Sequence, residues 1–179
     1  TEYVATRVDA RKKETTILFY SADWKKQKQW SVPSTSPLDI AVENILGDDT
    51  KEIILYSPSN SKNIQLFSVY DQAGNMVLEK KLDKQHEGVS LTTIKNTSSD
   101  TEDILVAYTV DNNIIISRYN ALGEKIGDNV AVTSISSVGA LAAGDIDGDG
   151  VAEYVLTTAA GDDPWMVYYE PTGVLKRKF

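Results

Sequence analysis

Three aspartates stand at every second position in Gly144-Asp145-Ile146-Asp147-Gly148-Asp149-Gly150-Val151-Ala152-Glu153-Tyr154-Val155-Leu156. A fourth carboxylate, Glu153, follows four residues after the last of them. Calcium takes roughly six to eight hard oxygen ligands on a flexible loop. Asp145, Asp147 and Asp149 fill loop positions one, three and five. Gly150 permits the sharp turn that folds the loop back on an ion, the carbonyl of Val151 serves position seven, and Glu153 falls at position nine. The expected cofactor is therefore Ca2+, held by Asp145, Asp147, Asp149, Val151 and Glu153. The plainer alternative is a solvated Asp/Gly turn between strands. Alternation combined with the glycine favours the metal.

The flanks decide what kind of calcium loop this is. An EF-hand carries a glutamate at position twelve and runs into a helix. Position twelve here is Leu156, and Glu153-Tyr154-Val155-Leu156-Thr157-Thr158 is rich in β-branched and aromatic residues. That is strand composition. The loop leads into a strand.

The same landmark recurs along the chain. Glu2, Glu52, Asp103 and Glu153 each open a strand-like run, at steps of 50, 51 and 50 residues. Tyr20, Tyr70, Tyr119 and Tyr169 each end one, at steps of 50, 49 and 50. Three of these tyrosines are followed four residues later by a glycine: Gly74, Gly123 and Gly173. In the first copy that slot holds Trp24. Two landmarks sharing one period define a repeat, and each period accommodates four short strands. Strands are expected at residues 2–8, 15–20 and 27–32; at 38–45, 53–57, 64–70 and 76–82; at 89–94, 104–109, 114–119 and 125–132; and at 138–143, 153–158, 165–169 and 174–179. The connections are a Pro-rich stretch at 33–37 and hairpin turns at 58–61, 111–113 and 161–164. No segment keeps a helical period over three turns.

A period near 50 residues with four strands is the signature of a propeller blade. The expected fold class is all-β: a β-propeller of four-stranded antiparallel blades, at 1–33 (incomplete), 34–84, 85–133 and 134–179. The first residues fall at the end of a loop register and the last at a fourth strand. The expectation is thus a partial propeller, a fragment of a ring of seven or eight blades, with a four-bladed ring carrying one short blade as the alternative. Uncovered blade faces would be closed by self-association or by a neighbouring segment.

The stretch from Gly144 to Leu156 resembles the calcium loops of FG-GAP/VCBS-type repeats, the blades of integrin-α-like propellers. Positions one, three and five match residue for residue. Position nine is more often Asp in that family; Glu153 keeps the charge on a longer arm. The resemblance implies a propeller and calcium, and no particular ligand.

The other copies of the loop lack the ligands. Counting back from Glu52, positions one, three and five are Asn44, Leu46 and Asp48; from Asp103 they are Lys95, Thr97 and Ser99. Leucine cannot ligate and lysine repels a cation, so both loops are expected to close without metal.

Composition narrows the function classes. The chain has 179 residues, no cysteine and a net charge of −8, with 26 acidic against 18 basic residues. No disulfide and no thiol chemistry is available. The acidic balance argues against nucleic acid, which requires a basic face. No apolar run is long enough for a membrane span. His86 is the only histidine and receives no role. There is no Ser/His/Asp set and no further histidine for a transition metal, so no catalytic residue is assigned. The expected function is a non-catalytic extracellular binding or scaffold module, secreted or on a cell surface (bacterial surfaces suit the missing cysteines), recognising protein or glycan. The alternative is a fragment of a polysaccharide-active lyase or hydrolase whose catalytic residues lie elsewhere. Candidate exposed loops are 9–14, 58–63, 111–113 and 161–165. Trp24 and Trp165 could stack on a sugar, but packing between sheets is the expectation for both. Lys25, Lys26 and Lys28 read as a solvated basic face.

Overall fold

The computed structural model describes residues 3–33, 39–58, 65–81, 87–96, 99, 101–132, 137–158, 166–170 and 174–178. Glu2, His86, Trp165 and Gly173 lie outside these residues, as do 34–37, 59–63 and 161–165 of the expected connections. Among the described residues there are fifteen strands and no helix. They form four antiparallel sheets, each a meander in which sequence neighbours pair.

Two compact units divide the chain. The first comprises Thr1–Val42 and Glu52–Gln85. Strands β1 (Tyr3–Asp9), β2 (Glu14–Tyr20) and β3 (Lys26–Val32) make a three-stranded sheet. Strands β4 (Ile40–Glu43), β5 (Glu52–Pro58), β6 (Gln65–Tyr70) and β7 (Met76–Lys81) make a four-stranded one. The core joins Ile17, Phe19 and Val32 to Ile53 and Leu55, with Val4, Trp30, Ile40, Val42 and Tyr70 packed on it. Apolar burial of this kind contributes about 1.5–3 kcal/mol per large side chain. Trp30 is the tryptophan that packs here: its ring lies 5.2 Å from Tyr70 and 6.2 Å from Phe19.

The second unit comprises Glu43–Lys51 and His86–Phe179. Its sheets are β8 (Glu87–Lys95), β9 (Glu102–Val110), β10 (Asn113–Tyr119) and β11 (Lys125–Val132), and β12 (Val138–Gly144), β13 (Glu153–Thr158), β14 (Met166–Tyr169) and β15 (Leu175–Lys178). The two sheets meet along their first strands, where the Leu141 N–H on β12 donates to Ser90 Oγ on β8 at 3.1 Å. The core gathers Ile94, Leu105, Ile114 and Ile116 from one sheet with Leu141, Tyr154, Leu156 and Val167 from the other.

Strand order explains the burial patterns. Second strands sit between two neighbours and read as continuous apolar runs; seven consecutive residues of β9 are buried. Fourth strands have one neighbour and are largely exposed, as at Lys125, Gly127, Asp128 and Asn129 of β11. The β9–β10 hairpin turns at Asp111-Asn112, with φ of 48° and 60°. Two central residues at positive φ make a type I′ turn, and Asp and Asn tolerate that region best after glycine.

Candidate metal centre

The loop between β12 and β13 is closed at its base by the Gly144–Glu153 pair of the antiparallel ladder. Inside it the aspartates fold the chain onto themselves. Asp145 accepts the N–H of Gly148 on Oδ1 at 2.7 Å and that of Gly150 on Oδ2 at 3.0 Å. Asp147 Oδ1 accepts Asp149 N–H at 3.3 Å, and Asp149 Oδ1 accepts Val151 N–H at 2.8 Å. Gly148 and Gly150 take φ of 80° and 87°, the left-handed region open to a residue without Cβ. As a result Asp145, Asp147 and Asp149, all exposed, converge so that one carboxylate oxygen from each lies within 4.8 Å of the others. A carboxylate oxygen that accepts one N–H keeps lone-pair capacity for a cation. The donor set is all oxygen and all anionic, which fits calcium and not a soft metal.

Glu153 sits differently. It is 2% exposed and its Oε2 accepts the N–H of Ile146 at 2.9 Å. Its carboxylate thus braces the loop from below, while the three aspartates face solvent. The Val151 N–H donates to Asp149 Oδ1.

The loop frame recurs without the full donor set. Between β4 and β5, Asn44 Oδ1 accepts Gly47 N–H at 2.6 Å and Asp48 Oδ1 accepts Thr50 N–H at 3.1 Å. These are the bonds made by Asp145 and Asp149. Gly47 and Asp49 take φ of 77° and 64°, as Gly148 and Gly150 do. The Thr50 hydroxyl holds the Asp48 carboxyl below the usual carboxylate range. Position three is Leu46, partly exposed. In the loop between β8 and β9, Thr101 N–H reaches Ser99 Oγ at 3.4 Å, the same bond again.

Among the described residues the acids that end the loops are buried, Glu52 and Asp103 at 1% exposure each. Asp103 is neutralised from within: Arg118 donates Nε at 2.7 Å and places Nη2 at 2.6 Å from Oδ2, and the Asn96 amide bonds both oxygens. Lys51 pairs with Glu43 at 2.8 Å, which raises the lysine above its ordinary pKa. No ion pair reaches Glu153 among the described residues. The Arg118–Asp103 pair was not foreseen from sequence, because Arg118 is displaced by one position from the repeating tyrosine.

Trp24 corrects an expectation. It does not pack between sheets; it is 67% exposed at the β2–β3 turn. Each described turn after a repeating tyrosine shares one backbone geometry. Ser21 N–H donates to Lys25 O and Trp24 N–H to Ser21 O; the pairs Asp71/Asn75 and Gly74/Asp71, and Asn120/Glu124 and Gly123/Asn120, repeat it. The fourth residue is left-handed throughout: φ is 60° at Trp24, 89° at Gly74 and 72° at Gly123. The indole lies face to face with Tyr3, centroids 4.4 Å apart and planes 9° apart, with Tyr20 at 6.3 Å.

Comparison with known proteins shows the fold. No family model and no curated protein matches the chain. Solved structures do match. One described as "Structure of Dos1 propeller" superposes over 95% of this chain with a TM-score of 0.53 and 11% sequence identity. This chain spans 45% of the length of that propeller chain. The four meanders are blades of a β-propeller fold.

Proposed function

We propose that the chain is a non-catalytic binding or scaffold module, extracellular and either secreted or at a cell surface, in which the loop at 145–153 holds a structural calcium ion in the manner of an FG-GAP/VCBS-type repeat. The observation that carries this reading is the convergence of Asp145, Asp147 and Asp149 on one point of the loop. Their carboxylates, the Val151 carbonyl and the Glu153 carboxylate are the residues that would hold the ion. When bound, calcium supplies positive charge and no chemistry of its own.

Charge balance supports the same reading. Four carboxylates within nine residues repel one another, and one of them is buried. In the loop ending at Asp103 the buried acid is met by Arg118; at 145–153 a divalent cation would take that part. The partner of the module is a protein or a glycan reached through loops at the blade ends, with self-association or a neighbouring segment covering open blade faces.

The deciding experiment is thermal unfolding in calcium against chelator at matched ionic strength, beside Asp147→Ala. At calcium about 100-fold above Kd, linkage gives about 2.7 kcal/mol, or a rise of about 5–10 °C for a chain of this size. The variant loses that response. An unchanged midpoint in the wild type refutes the metal site.

A further inference from the structure

We propose that Trp24, backed by Tyr3, is a saccharide platform: the open face of the indole receives the flat C–H face of a pyranose ring. This rests on reading the chain as a binding module and names the ligand class and the residue.

The turn that Trp24 occupies is filled by glycine in the other described copies, and its backbone bonds are the same in all three. A bulky L-residue at φ of 60° is strained. Burial does not offset that strain, since the side chain is 67% exposed. The stack on Tyr3 offsets part of that strain, and the 67% exposure leaves indole surface for a ligand. Its presentation is also fixed in advance. Tyr3 stacks on one face at 4.4 Å and Tyr20 is tilted at 6.3 Å, while the residue stays largely exposed. A ring already held loses little freedom on binding.

The rim chooses the occupant. Asp23, held by Ser21 Oγ and by Lys25 Nζ at 2.6 Å, offers a carboxylate acceptor on the same turn. Lys25 and Lys26, both exposed, offer donors. An aromatic face on a turn that also carries an acceptor and donors matches a sugar, which has an apolar C–H face and a hydroxyl edge; the π face is electron-rich and attracts C–H hydrogens. A protein partner would need about 800 Å² of complementary surface, and the surroundings of this ring are charged.

The test uses the intact chain on an array of pyranose oligosaccharides, with affinities of hits measured by titration, for wild type, Trp24→Gly and Tyr3→Ala. The proposal expects at least one pyranose glycan bound by the wild type. Trp24→Gly, which restores the residue of the sister turns, weakens it by ~tenfold or more while keeping an equal or higher unfolding midpoint. Tyr3→Ala weakens it less. Equal affinity in Trp24→Gly overturns the platform and leaves the binding-module reading standing. No glycan bound, together with concentration-dependent association in sedimentation that Trp24→Gly abolishes, overturns it in favour of a contact between copies. No glycan bound and no association overturns it outright, while the calcium response separately judges the metal-loop reading.

Discussion

Asp145, Asp147 and Asp149 were legible because alternation and a following glycine are a pattern with few other causes, and the structure brings the three together. Glu153 could be placed in register but not in depth: a sequence does not say that the acid ending each loop points inward. The loop at 44–52 keeps two of the Asx bonds and both left-handed residues of the one at 145–153, and differs at position one, a neutral Asn44, and at position three, Leu46. On the proposed calcium reading, Leu46→Asp should add a second site, with Asn44 and Asp48 as its other ligands. Calorimetric titration is expected to show the calcium stoichiometry rise by one, with little loss of stability because Leu46 is partly exposed. The buried pair makes an opposite prediction. Arg118→Leu leaves Asp103, 1% exposed, without its cation, and removing one member of a buried pair costs about 3–5 kcal/mol. Urea unfolding should show that loss, and Asp103→Asn added to it should recover part.

At the scale of strands and turns, the period carried most of the information. Every expected strand overlaps one of the fifteen, and the largest uncertainty lay at their ends: β8 and β9 run longer than their apolar runs because ladder pairing continues through Lys95–Glu102. The turns were harder. A glycine four residues after a tyrosine marks the slot, but only the hydrogen bonds reveal that the slot demands positive φ, and hence that Trp24 is held there under strain. Gly74 shows the demand most sharply. Its φ is 89°, and a Cβ there would meet the Trp30 ring at 2.9 Å. Gly74→Ala combines about 1 kcal/mol of backbone strain with overpacking of about 1–3 kcal/mol. Chemical denaturation should show a loss of about 2–4 kcal/mol, all of it in the first unit.

For the molecule as a whole, the two compact units set where a ligand is felt. The candidate metal loop belongs to the second. Hydrogen exchange with and without calcium should show added protection in 137–158 and in the neighbouring β8, through Ser90 and Leu141. Residues 3–42 should exchange at the same rate in both. Protection spread evenly over the chain would contradict this assignment.

The loop at 44–52 reaches the fold of the loop at 145–153 with leucine where an aspartate stands. Shape is thus written into the peptide, and the ion is not its author. In zinc fingers metal uptake and folding are one event; the loop at 44–52 takes its turns without the three aspartates. On the proposed calcium reading, a chelator would remove the ion from a loop that keeps its turns. Loading and release of that ion would then need no refolding, and unfolding with and without calcium would start from one folded loop.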